Sequence, residues 1–259
     1  MIHADDDLNV TQEALEALRE HFAGGSGGSS ERGWSGPEPV SWRYRQVALA
    51  RFLLPGFSGP RTLIGTDGSV TEGSDLAGVA AVHGDGYVTV SVIEGPAPHS
   101  QTAEMAAVMY ALRRSGHGHV MLMLDNLQIL EAVQLMNHRA RVVTGGCQDQ
   151  GMAAEVLNLL SQDRQVTIRH VPDAEGGTTS NRMPSQPLMA AAHRLAWTAR
   201  RLAIDGYALE GEALAWLQSA ATRTTRRTNI LRLSYDAWRR RQTLSEMKHT
   251  RGGTPSFRR

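Results

Sequence analysis

The chain has 259 residues, 41% of them hydrophobic and 20% charged, with a formal net charge of +1 at pH 7. Its one cysteine, Cys147, excludes an intramolecular disulfide framework and any cysteine-based zinc site. No apolar run approaches the roughly 20 residues of a bilayer span, and the acidic start "MIHADDDLNV" is unlike a secretory or transit signal, so the sequence reads as a soluble protein of a reducing intracellular compartment.

Charge is unevenly spread. Residues 1–22 carry six acids against one arginine. Within them Thr11–Phe22 places Ala14, Leu15, Leu18 and Phe22 at helical spacing behind a Thr11 N-cap, which predicts an acidic N-terminal helix. Residues 23–39, with "AGGSGGSSERGWSG", read as a flexible Gly/Ser linker, regular enough to match native linkers and engineered joins alike.

A globular domain is expected over residues 40–205. "YRQVALARFLL", from Tyr44, is apolar and fits helix or strand equally. "RTLIGTD", "LAGVAAVHG" and "YVTVSVIEG" read as three strands of an antiparallel meander, with a Gly-Asp-Gly turn between the second and third. "SQTAEMAAVMYALRRSG" predicts a helix capped by Ser100 or Thr102 and stopped by Gly116. "HVMLMLDN" is a buried strand, "LQILEAVQLMN" and "GMAAEVLNLLSQD" are amphipathic helices, and "QVTIRHV" is the fifth strand. An irregular loop, "PDAEGGTTSNRMPSQP", leads to the helix "LMAAAHRLAWTARRLA". The order predicts an α/β fold: a five-stranded mixed sheet, antiparallel meander plus parallel strands, flanked by helices.

Residues 206–259 form an extension with one more helix, "ALEGEALAWLQSAAT", and then an arginine-rich tail. From Thr222 onward ten arginines and one lysine face two acids. Arginine forks suit phosphate, and Tyr235 and Trp238 lie among them, so Arg226, Arg227, Arg239 and Arg240 are candidates for nucleic-acid contact. A solvated basic helix and a docking surface for a protein or an RNA–protein assembly fit the same pattern. The N-terminal helix is the other candidate for protein docking.

Three carboxylates stand at the ends of predicted elements. Asp67 ends the first strand, Glu104 lies in the first turn of the first long helix, and Asp125 ends the fourth strand. Each has an ordinary role open to it: a turn aspartate, a helix-dipole acid, an N-cap. If the two strands are neighbours, the aspartates emerge at one edge and a crossing helix brings Glu104 to them. Three carboxylates that close need positive charge between them, and hard oxygen donors favour Mg²⁺ or Mn²⁺.

At these residues the chain resembles the ribonuclease H family, in its type 1 and retroelement branch. The resemblance covers roughly residues 60–200 and rests on "TDGS" (Thr66–Ser69), "TAEMAAVMYAL" (Thr102–Leu112), "LDN" (Leu124–Asn126), "RHV" around His170 and "LMAAAHRLA" (Leu188–Ala196). It implies two-metal hydrolysis of the RNA strand of RNA/DNA hybrids, with two Mg²⁺ or Mn²⁺ ions about 4 Å apart. Asp67 would bridge both ions, Glu104 and Asp125 would hold one each, and His170 would assist water or product movement from a mobile loop. Ser69 would help hold the substrate backbone.

One position departs from the family. Its fourth metal carboxylate belongs to Asn-Glu-x-x-Asp-x-Leu-Ala, and "MAAAHRLA" runs in register with His193 at the aspartate and Met189 at the asparagine. Imidazole can ligate these ions but brings no negative charge. Asp173 and Glu175 are nearby substitutes in sequence. The alternative is therefore a catalytically impaired ribonuclease H-like domain kept for binding nucleic acid or protein. Related branches fit less well. The exonuclease pattern needs Asp-x-Glu where Ser69 stands, and the integrase pattern needs its last glutamate after the sheet, whereas Glu155 precedes the fifth strand. A retroelement polyprotein would carry a reverse transcriptase upstream, and the chain has no Tyr-x-Asp-Asp.

Overall fold

The computed structural model describes residues 42–116, 118–162, 164–171 and 186–222. The N-terminal helix, the linker, the loop acids Asp173 and Glu175 and the arginine-rich tail, with Arg226, Arg227, Arg239 and Arg240, lie outside the described residues.

In chain order the strands are β1 (Arg45–Leu53), β2 (Leu63–Ser69), β3 (Leu76–His83), β4 (Tyr87–Glu94), β5 (Gly118–Leu124) and β6 (Arg164–His170). The helices are α1 (Ser100–Arg114), α2 (Leu127–Arg139), α3 (Gln150–Leu160), α4 (Pro187–Ile204) and α5 (Gly211–Thr222). The strands form one mixed sheet in the order β1-β4-β3-β2-β5-β6. β1, β4, β3 and β2 pair antiparallel; β2–β5 and β5–β6 pair parallel.

The sheet has six strands rather than the expected five, because the ambiguous segment 44–54 becomes β1 on the edge beside β4. Its outer half alternates, with Ala50 and Phe52 buried and Arg51 and Leu53 exposed, as one covered face requires. A register shift between Gln46 and Ala48 bends the outermost strand, a common device for blunting a free edge. Asp149 ties the start of β1 down. Its Oδ2 accepts from the backbone N–H groups of Arg43 (2.8 Å) and Tyr44 (3.0 Å), while Oδ1 accepts from Met152 N at 2.9 Å as the N-cap of α3.

Side-chain alternation builds two cores. Val79 and Ala81 of β3 face one way and pack with Met105, Leu112, Ile129 and Val156 of α1–α3. Ala80 and Val82 face the other way, onto Met189, Ala192, Leu195 and Ala199 of α4 and Trp216 and Leu217 of α5. A central strand covered on both faces reads as an unbroken apolar run, as "LAGVAAVH" does. Among the described residues no helix is long and apolar enough to cross a membrane.

Candidate metal centre

The site begins with register. β2 and β5 run parallel with Gly65 opposite Met123, so Asp67 and Asp125 each follow by two residues at the same level. Asp125 stands just past β5, but Asp67 does not end its strand as expected, since β2 runs on to Ser69 and Asp67 still pairs with Ala80 of β3. Thr66 Oγ1 donates to Met123 O at 3.1 Å and stitches the two strands together beside them. Glu104 arrives from α1. A Cβ added at Gly68 would lie 2.4 Å from the backbone carbon of Ala103 and 2.5 Å from Glu104 N, so only glycine lets the helix backbone rest on β2 here.

Glu104 is in the second turn of α1, not the first as expected, and no acid occupies the first turn. A helix-dipole role therefore does not account for it. The expected cap is also absent. His99 is the N-cap and makes no side-chain capping bond, while Thr102 Oγ1 accepts from Gln148 N at 3.1 Å. Asn126, not Asp125, caps α2, its Oδ1 accepting from Gln128 N and Ile129 N. The capping role open to Asp125 thus belongs to its neighbour.

One carboxylate oxygen each from Asp67, Glu104 and Asp125 lies within 4.8 Å of the others. Exposed acids often gather by accident, but Asp67 and Glu104 are only 2% and 4% exposed. Burying carboxylates side by side is costly unless positive charge compensates them. Asp67 Oδ2 is buried without a hydrogen-bond partner among the described residues. Three hard oxygen donors, two of them from buried carboxylates, could hold a divalent cation.

The two histidines fall at the same place. His193, from the middle of α4, puts Nδ1 3.5 Å from Asp67 Oδ2. His170 is not on a loop as expected but is the last residue of β6, paired with Leu124, and its Nε2 lies 3.1 Å from the backbone carbonyl of Asp125. Nε2 can meet a carbonyl only as an N–H donor, which leaves Nδ1 as the acceptor in the neutral ring. Ser69 closes β2, half-buried, two residues beyond Asp67. Glu155 is removed from this group, bridging Arg113 at 3.2 Å on another part of the surface.

Sequence reasoning missed Arg200. It is 7% exposed and donates from Nη1 to Val70 O just past β2. Burial pushes its pKa down to about 10, Arg201 adds to that, and the charge of Asp67 opposes it. Its signal was faint: it stands seven residues after His193, on the same face of a helix. Val70–Ser74, just past β2, and Ala97–Gln101, at the start of α1, line a groove of about 450 Å³.

No family model matches this chain, and no curated protein matches it either.

Proposed function

We propose that the protein is a metal-dependent phosphodiester hydrolase acting on the RNA strand of RNA/DNA hybrids. The observation that carries the chemistry is the convergence of Asp67, Glu104 and Asp125 within 4.8 Å, two of the three buried. The choice of substrate rests on the motifs that resemble ribonuclease H. A groove of about 450 Å³ at an α1 N-terminus without a side-chain cap, where backbone amides suit phosphate, is in keeping with it.

Asp67, Glu104 and Asp125 would hold the divalent ion or ions, with His193 as the fourth group. When bound, such an ion lowers the pKa of water and stabilises charge on the phosphoryl oxygens. The chain's own work is orientation and proton transfer. Parallel register fixes the two aspartates, Gly68 sets the reach of Glu104, and the Asp125 carbonyl holds His170 by Nε2. His170 Nδ1 is then available to accept a proton from water or pass one to the leaving oxygen.

The test is cleavage of an end-labelled RNA/DNA hybrid in Mg²⁺ and, separately, in Mn²⁺. Asp67→Asn is expected to cut the rate about a hundredfold or more, the loss of several kcal/mol of metal-borne stabilisation. Cleavage at the wild-type rate by that variant overturns the assignment. His193 favours a second reading, because the fourth position brings no fixed negative charge: a domain that binds hybrid without cutting it. Retained hybrid binding with no cleavage in either metal selects that reading.

A further inference from the structure

α4 lies unusually close to the sheet. A Cβ added at Gly78 of β3 would sit 2.0 Å from Ala196 O and 2.8 Å from Arg200 N, so glycine permits backbone-to-backbone contact. Pressed down in this way, the helix sends His193 to Asp67 and Arg200 to Val70, three residues further along the same chain segment. Arg200 as a residue is only 7% exposed. Nη1 has the Val70 carbonyl, but Nε has no hydrogen-bond partner among the described residues. A buried guanidinium whose Nε goes unpaired and whose Nη1 meets a neutral carbonyl is poorly compensated. Val70 lies three residues past Asp67, and His193 of the same helix reaches that carboxylate, so the guanidinium is held on the Asp67 side of the centre, where the Asp67 charge opposes the downward push of burial.

We propose that Arg200 is a positioning residue of the carboxylate centre: a resident cation, delivered by α4, that pins the chain just past β2 and offsets part of the charge of Asp67. This rests on the metal reading above and adds a consequence to it. A divalent ion binds a cluster already partly neutralised, so its affinity is set below that of three bare carboxylates. The centre is therefore tuned for weak ion binding by a residue that need not touch the ion.

The test measures Mn²⁺ affinity of the full chain at pH 7 by calorimetry, with Mn²⁺ alone as the probe, for wild type, Arg200→Met and Arg200→Lys. Removing one nearby positive charge is expected to tighten Mn²⁺ binding about three- to tenfold in Arg200→Met. Arg200→Lys, which keeps the charge, should stay within about twofold of wild type. A purely structural role for Arg200 predicts the opposite: a less stable protein whose ion binding is unchanged or weaker. That outcome in folded Arg200→Met overturns the proposal while leaving the metal centre intact. If Arg200→Met does not fold, Arg200→Gln is read by the same criterion. No Mn²⁺ binding by wild type or by either neutral variant overturns the metal reading itself, and the role of Arg200 falls with it.

Discussion

At the scale of single residues, the centre depends on a missing side chain as much as on those present. Gly68 faces the backbone of α1 one residue before Glu104, with only 2.4 Å between a built Cβ and Ala103 C. The neighbour is backbone inside a helix buried from Thr102 to Leu112, so it cannot step aside by changing rotamer. Gly68→Ala therefore has to move α1 or bend β2. Overpacking of this kind costs about 1–3 kcal/mol, and urea unfolding will read it. The same displacement carries Glu104 away from Asp67, so Mn²⁺ binding should weaken in Gly68→Ala even under conditions where the protein is fully folded. A variant of wild-type stability and ion affinity would show that α1 yields more easily than its burial implies.

At the scale of elements, β1 illustrates what one sequence can hide. Its partner β4 starts at Tyr87, far along the chain, and the run "VALARFLL" satisfies a helical stripe and a pleated edge equally well. Only pairing with β4 and the anchor at Asp149 select the strand. Asp149 is fully buried and serves three backbone N–H groups, two before β1 and one in α3. Asp149→Ala leaves all three without that acceptor, and a loss of about 3 kcal/mol follows for buried charge-assisted bonds. Hydrogen exchange should localise the damage to β1 and the first turn of α3. Uniform protection loss across the sheet would instead mean that β1 is not a separable anchor. β2 to β6 and the five helices of the described residues were legible because each carries its own period, cap or stop. Arg200 was not, since "TARRLA" offers two adjacent arginines and nothing local says which is buried. Arg201 turns toward Asp205 at 4.0 Å, while Arg200 goes under the sheet.

At the scale of the whole molecule, the two ends of the central strands do different work. Asp67 and its partners lie toward the Ser69 end of β2. His83 lies near the other end, paired with Ile64 and fully buried. Its Nδ1 is 3.0 Å from Arg61 O, its Nε2 has no partner among the described residues, and Tyr87 packs on it edge-on. Burial lowers its pKa below the ordinary 6.5, and the neighbouring Arg61 charge adds to that, while the Arg61 carbonyl and the Asp85 charge pull the other way. The unfolded chain then binds this proton more readily than the folded one. The stability His83 contributes is thus complete above pH 6.5 and is lost as pH falls from there toward its depressed folded value. Urea unfolding of wild type and His83→Gln from pH 7.5 to 5.0 isolates the effect, because every other group titrates alike in both. The wild-type curve should fall more steeply below pH 6.5, and the variant's should be flatter. Parallel curves would mean that the buried imidazole is charged with little penalty, and the acid sensitivity of this fold would then have to lie elsewhere.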